Sequence, residues 1–356
     1  MNSRLPLRLA IPLQSQLQSL NSEFRIPNSE LLQDSFGRRH NNLRISVTDR
    51  CNLRCTYCMP EDVVFRDRSE LLSFEEITHF TRVAAGLGID KVRLTGGEPL
   101  LRKDLHKLVR LLVRIQGIKD IGLTTNGILL AEQAEELFDA GLRRLNVSLD
   151  TLDPDRFREI SRRNGLNRVL DGLAAAKKAG FERIKVNAIA IRGFTDRDAV
   201  PLARYCREHG FELRFIEYMP IGAEAWEREK VFFAREILDL LGKELSPLVE
   251  AADRDPRSPA LDYVYEDGGG RVGVIASVSR PFCASCNRLR LTAEGKLRNC
   301  LFALDEVDVK TMLRTPNADA ALAEAIRGNI WSKWAGHDFN TANFVKPERT
   351  MHAIGG

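Results

Sequence analysis

No stretch of this 356-residue chain approaches the roughly 18 consecutive apolar residues that a membrane helix requires, so no membrane partner is expected. The long apolar core of a secretory signal is missing as well. Charge of one sign is only in small excess. The net charge of +4 does not call for nucleic acid, although it leaves room for local basic patches facing an anionic substrate. No internal repeat of fixed short period appears. Cysteine is scarce and odd in number, seven in all, which argues against a disulfide framework. Six of the seven fall in two tight groups, a pattern that fits a reducing compartment and metal ligation. The seventh, Cys206, stands alone in a helical stretch and reads as a small core residue. Hydrophobic content of 44% and charged content of 29% are ordinary for a soluble chain able to bury a large α/β core.

The first cysteine group is Cys51-Asn52-Leu53-Arg54-Cys55-Thr56-Tyr57-Cys58. Three thiolates can hold three irons of a four-iron cluster and leave the fourth iron without a protein ligand. A cluster kept for electron transfer alone is usually held by four cysteines, so the missing one points to chemistry at an open iron. A structural zinc site would pair two knuckles, whereas here three cysteines crowd one loop.

Between Leu43 and Pro220, short β-branched runs alternate with amphipathic stretches. Strands are expected at Leu43–Thr48, Lys91–Thr95, Asp120–Thr124, Leu145–Leu149, Ile184–Ile191 and Glu212–Tyr218, with helices between them such as Asp104–Ile115 and Val169–Ala179. This alternation implies a parallel sheet. The expected fold is α/β: an incomplete TIM-like (β/α)6 barrel, with a doubly wound open sheet as the competing architecture. Ligands bind at the carboxyl ends of strands in both, which gathers the polar signatures at one site.

Three regions are expected. Residues 1–28 read as a disordered N-terminal extension, with a cleaved organellar transit peptide as the alternative. Residues 29–220 carry the barrel, and 221–356 a C-terminal α+β iron–sulfur unit that ends in Gly355-Gly356. In that last region short strands are expected near Tyr263 and Val272, around the turn Gly268-Gly269-Gly270, and again at Leu289–Thr292. An Ala-rich helix is expected near Ala318–Ile326.

Two further motifs bear on chemistry. Gly96-Gly97-Glu98-Pro99 follows the second strand. By itself it is a sharp βα turn, but glycines also admit a ligand close to the main chain. The second cysteine group is Cys283-x₂-Cys286-x₁₃-Cys300, again one ligand short of a closed site. Its spacing suits a zinc knuckle or a second open-iron cluster. Arg288 and Arg290 follow it and project to one side if the segment is a strand. Two guanidiniums there suit phosphates or a polar ring; a solvated basic edge is the blander reading.

The cysteine run together with Gly-Gly-Glu-Pro resembles the radical S-adenosylmethionine (SAM) superfamily. Leu43–Cys51, Val92–Pro99, the second cysteine group and the terminal Gly-Gly together resemble the GTP 3′,8-cyclase family, from about Asp34 to Gly356. That resemblance implies a lyase of molybdenum cofactor biosynthesis. The family's reaction removes the ribose C3′ hydrogen of GTP by a 5′-deoxyadenosyl radical and joins C3′ to C8. Reduction and protonation then give 3′,8-cyclo-7,8-dihydro-GTP. It implies two [4Fe-4S] clusters, one on Cys51, Cys55 and Cys58 beside SAM, the other on Cys283, Cys286 and Cys300 beside guanine. Tyr57, Gly97, Ser148 and Met219 would line the SAM pocket. Arg44, Arg93, Thr124, Lys185 and the segment Arg288-Leu289-Arg290 would contact GTP. Arg288, Arg290, Gly355 and Gly356 would act at the catalytic centre, the tail by entering it. An electron donor and a downstream pterin-forming enzyme are the implied partners, a homodimer is compatible, and the cytoplasm is the expected compartment unless the extension targets an organellar matrix. Two rival readings stand: a radical maturase acting on a peptide, and a non-catalytic iron–sulfur carrier or zinc-stabilised binding module.

Overall fold

The computed structural model describes residues 32–221, 226–341 and 344–355. The extension at 1–28 and Gly356 lie outside the described residues. Six strands run in chain order: β1 (Asn42–Ser46), β2 (Lys91–Thr95), β3 (Asp120–Thr125), β4 (Arg144–Ser148), β5 (Arg183–Ala190) and β6 (Glu212–Glu217). Each pairs in parallel with the next. Helices return the chain: α1 (Phe74–Gly86), α2 (Leu105–Val113), α3 (Leu130–Asp139), α4 (Pro154–Ser161), α5 (Leu166–Lys178) and α6 (Thr195–His209). Local chemistry sets their ends. Ser73 accepts from the Glu76 amide while Glu76 reaches back to the Ser73 amide, a capping box that starts α1. Pro154 opens α4 behind the cap Asp153, and Gly210 at φ +73° ends α6.

The segment after residue 217 supplies α7 (Ala234–Glu244), β7 (Leu248–Glu250), β8 (Leu261–Tyr265), β9 (Arg271–Ile275), β10 (Arg288–Leu291), β11 (Lys296–Arg298), β12 (Val307–Asp308), α8 (Lys310–Leu313), α9 (Ala318–Trp331) and α10 (Met351–Ile354). These strands flank the barrel strands on both sides. β9 adds in parallel to β6, and β10 adds in parallel to β1. Among the described residues the resulting sheet has twelve strands in the order β12-β11-β10-β1-β2-β3-β4-β5-β6-β9-β8-β7, and its two ends do not pair. The barrel is therefore incomplete, as expected, and its strands bend round a lumen rather than forming an open doubly wound sheet.

Period-two alternation assigns the faces. Leu43, Ile45, Leu94, Leu123, Leu145, Val186, Phe215 and Val274 point outward into the helical layer and are buried in one continuous core. Each such side chain contributes roughly 2 kcal/mol by leaving water. Their neighbours Arg44, Arg93, Thr124, Asn146, Lys185 and Arg214 face the lumen. Cys206 is buried in the same core, and burial pushes its thiol up to about 12, which matches a packing role.

Glu217 ties the barrel to its flank. At the end of β6 its carboxylate accepts from the amides of Ala234 (2.9 Å), Val278 (2.8 Å) and Ser279 (2.7 Å), and from the Ser279 hydroxyl (2.5 Å). Replacing it strands two buried amides and a part-buried one. Glu217→Ala is expected to lower stability by about 3 kcal/mol in urea unfolding; a loss below about 0.5 kcal/mol would remove Glu217 from this role.

Candidate active site

A cavity of about 720 Å³ occupies the lumen, and both cysteine groups line it. Cys51 follows the carboxyl end of β1, while Cys286 precedes the amino end of the parallel strand β10. The groups therefore sit at opposite levels of the lumen, roughly 15 Å apart at about 3.3 Å per strand residue.

Backbone contacts hold the first loop. Its amides at Arg54 and Thr56 donate to the carbonyls of Ser161 (2.9 Å) and Ile160 (3.0 Å) at the end of α4. The glycines of the second strand's turn lie flush against the same loop. Gly97 donates to the Thr48 carbonyl at 2.8 Å, and Glu98 to that of Arg50 at 2.7 Å. A Cβ on Gly96 would lie 2.5 Å from the Thr48 oxygen, and one on Gly97 2.3 Å from the Arg50 oxygen. Glycine is needed here for a close approach of backbone to backbone. Glu98 then joins the third strand, accepting from the Asn126 amide (2.6 Å), the Thr125 hydroxyl (2.7 Å) and the Leu100 amide (2.9 Å). Burial still raises its carboxyl to about 7. Asn126 approaches the Cys51 sulfur at 3.8 Å and holds Asn52 at 2.7 Å. Tyr57 donates to Asp150 at 2.9 Å, and Asp150 accepts the Ile189 amide at 2.8 Å.

Burial, and then neighbouring negative groups, push the first three thiols up: Cys51 to about 11, Cys58 to about 12, and Cys55 well above its usual value. Three crowded, buried thiols, with Arg54 only partly offsetting the cost at Cys51, are costly to ionise alone and suit a cationic inorganic partner. The second group differs. Burial raises Cys283, and burial also opposes ionisation of Cys286, but Arg288 and Lys333 outweigh it and bring Cys286 down to about 5. Among the described residues no three His, Cys, Asp or Glu side chains converge closely enough to hold one metal ion. Both donor sets fit a larger cluster with one open iron.

Between the groups runs a line of positive charge. Arg290, Arg44 and Arg93 lie in register on the adjacent strands β10, β1 and β2. Burial depresses all three, Arg290 to about 9, Arg93 to about 10 and Arg44 well below its usual value, and neighbouring cations add to it: Arg288 for Arg290, Arg144 for Arg93, and Arg290 for Arg44. Guanidinium does not lose its proton in practice, so the depression measures the cost of burying positive charge. The Arg93 Nη1 atom is buried without a hydrogen-bond partner. Arg290 donates to the Gly355 carbonyl at 2.6 Å, and Arg288 lies 4.4 Å over the Phe282 ring. Gly355, at φ +84°, fits a slot where a Cβ would meet Ser46 at 2.9 Å and Thr95 at 3.1 Å.

Thr124, Ser148, Lys185 and Met219 also line the cavity, with Tyr57 and Gly97. Leu289 does not: strand alternation turns its side chain into the apolar core, leaving only Arg288 and Arg290 toward the lumen. Asn187, expected beside Lys185 on the fifth strand, lines the cavity too. Sequence reading missed Asn42, Lys91, Arg144, Asn146 and Arg214, which share the lumen. Counting by twos from Arg93 reaches Lys91, so part of this set was available. Several of these cations are already paired: Arg144 with Asp120, Lys185 with Glu212, and Arg214 with Asp262 at 3.5 Å.

Comparison with known proteins places this geometry. The Radical SAM superfamily pattern matches residues 45–206, and Molybdenum Cofactor Synthesis C matches 211–339. A GTP 3′,8-cyclase of Rhodopirellula baltica is 48% identical over 334 residues, covering 91% of this chain and 92% of that protein. One from Streptomyces coelicolor is 45% identical over 331 residues, covering 92% and 97%. GTP 3′,8-cyclase 2 of Mycobacterium bovis is 43% identical over 351 residues, covering 97% of each. Among solved structures, Streptococcus suis SuiB bound to S-adenosylmethionine superposes with TM-score 0.57 at 16% identity, covering 82% of this chain and 68% of that one. The anSMEcpe structure with bound AdoMet gives 0.53 at 16%, covering 80% and 79%. At such identities the likeness is one of fold. No described helix is long and apolar enough to cross a membrane.

The turn glycines provide a direct check. Gly97→Ala is expected to force the first cysteine loop off its backbone contacts, cost about 2 kcal/mol or more, and lower the iron bound after anaerobic reconstitution. Gly242→Ala in α7, where nothing lies within 4 Å, should leave iron content unchanged. Equal iron in the two variants would contradict the close-approach argument.

Proposed function

This chain belongs to the GTP 3′,8-cyclase family of radical SAM proteins, and we propose that it converts GTP to 3′,8-cyclo-7,8-dihydro-GTP at the start of molybdenum cofactor biosynthesis. The observation that carries this reading is the in-register row Arg290, Arg44 and Arg93 inside a lumen that two three-thiol groups line at different levels. A buried row of guanidiniums with no carboxylate salt bridge among the described residues calls for a polyanion, and GTP carries about four negative charges.

Family membership implies one [4Fe-4S] cluster and SAM. Cys51, Cys55 and Cys58 would hold that cluster, with Tyr57, Gly97, Ser148 and Met219 around SAM. When bound, this pair supplies a 5′-deoxyadenosyl radical able to take a hydrogen atom. Cys283, Cys286 and Cys300 would hold a second cluster whose open iron meets the guanine. The chain's own part is binding, orientation and exclusion of water. Arg44, Arg93, Lys185, Arg288 and Arg290 hold the phosphates and ring edge, and Thr124 sits beside them. Leu289 serves through the strand that carries its neighbours. Fixing both ends of GTP presents ribose C3′ toward the SAM level and keeps C8 within reach of C3′. The tail, held by Arg290 at Gly355, closes the lumen near Ser46 and Thr95. An external electron donor completes the reduction, and a pterin-forming enzyme takes the product. A peptide-modifying radical enzyme is the rival, and a lumen crossed by buried guanidiniums disfavours it, because a peptide brings no comparable charge.

Two outcomes follow. Anaerobic protein given GTP, SAM and a strong reductant should consume one GTP for each 5′-deoxyadenosine formed; 5′-deoxyadenosine without GTP loss would sink the assignment. Lys185 gives the second. Burial, then Arg214, bring its ammonium down to about 8 despite the Glu212 partner. The protonated form binds phosphate, so GTP affinity should be constant below that pH and fall up to about tenfold per unit above it. Lys185→Arg, which stays charged, should flatten the profile; an unchanged slope would take Lys185 out of phosphate binding.

A further inference from the structure

The turn after α9 touches all three members of the second cysteine group or their immediate neighbours. Asn299, next to Cys300, donates to the Asn329 carbonyl at 2.7 Å and to the Ser332 hydroxyl at 3.2 Å. Arg38 donates to the Cys283 carbonyl at 2.9 Å and to the carbonyls of Trp334 (2.6 Å) and Ala335 (2.8 Å). Lys333 donates to the Cys286 sulfur at 3.4 Å and to the Arg288 carbonyl at 2.9 Å. Residues from opposite ends of the described chain thus build one seat beneath the three thiols.

Lys333 differs from the others in bringing charge to sulfur. It is only 4% exposed, and it does not line the lumen where GTP is expected. A buried ammonium must be paired to be tolerated. Its polar partners are the Cys286 sulfur and the Arg288 carbonyl, and no carboxylate pairs with it among the described residues. Arg38, by contrast, is neutralised by Asp34 at 2.5 Å and reaches only carbonyls in this seat.

We propose that Lys333 is the positioning residue of the second cysteine group: it holds Cys286 against the first residue of β10 and sets the reduction potential of the cluster bound there. The inference rests on the reading that Cys283, Cys286 and Cys300 carry a four-iron cluster. Net charge and hydrogen bonds to sulfur tune such clusters, and partners beyond the ligands fix ligand orientation. A cation beside a ligand sulfur favours the more negative, reduced state. By bonding Cys286 and Arg288 together, Lys333 also fixes the height of the cluster relative to the guanidinium row.

The test is a redox titration of the full reconstituted protein, followed by electron paramagnetic resonance, with iron counted in each sample. Wild type should bind about eight irons, as two four-iron clusters, and show two reduced signals, one of which GTP perturbs. In Lys333→Met that signal should require a lower potential, by a tenfold or larger change in the reduction equilibrium, about 59 mV for one electron. Lys333→Arg should stay near wild type, and the other signal should not move in either variant. Arg38→Met should lower cluster yield without moving the potential of the clusters that form. Two signals with an unmoved potential in Lys333→Met overturn the role of Lys333 alone. About four irons and one signal in wild type overturn the cluster reading and this inference with it. If Lys333→Met binds only about four irons, Lys333→Arg decides: recovery of eight irons at the wild-type potential supports the role, and failure to recover overturns it.

Discussion

Positive charge without an internal answer is the constraint around which this barrel is organised. Arg290, Arg44 and Arg93 stand side by side on three parallel strands, depressed by burial first and by neighbouring cations second. A closed TIM barrel fills its lumen with branched apolar side chains in layers. Here the inward positions carry arginine, lysine, asparagine and threonine, so the lumen stays open and polar. That choice costs stability, which the outward face offsets with a continuous apolar core. A bound polyanion would offset the cost of this buried charge.

The two cysteine groups meet this row from opposite ends because of strand direction. β1 delivers Cys51 at its carboxyl end, whereas β10, parallel to it, receives the chain from Cys286 at its amino end. Parallel addition of β10 to β1 is thus the topological step that separates the two thiol groups and leaves room for a nucleotide between them. The supports differ to match. The first loop depends on glycines that let two backbones touch, with Glu98 joining the third strand. The second depends on long cations, Arg38 and Lys333, that reach the loop from elsewhere in the chain.

Much of this was legible in the residues. Lys91–Thr95 matches the observed β2, and the other five barrel strands fall within a residue or two of their expected bounds, because each combines β-branched residues with a polar signature at its end. The cysteine groups were found from spacing and Arg288 and Arg290 from alternation, whereas Arg44 and Arg93 came from the family resemblance. What escaped was non-local. Nothing in Arg271–Ile275 or Arg288–Leu291 announces that these short runs pair in parallel with β6 and β1, since register depends on partners far away in sequence. Expecting Leu289 beside its arginine neighbours at the ligand ignored the alternation that sends it to the core. Lys333 follows a helix in a turn with no motif around it, and only the fold brings it to Cys286.

The central claim is that the second thiol group and the guanidinium row form one nucleotide site, distinct from the SAM level. The most direct measurement is the reduced-state electron paramagnetic resonance spectrum of the anaerobically reconstituted protein, recorded alone, with GTP and with SAM. The account predicts two cluster signals, one altered by GTP alone and the other by SAM alone. A single signal indifferent to GTP would contradict it and return Cys283, Cys286 and Cys300 to a structural metal site.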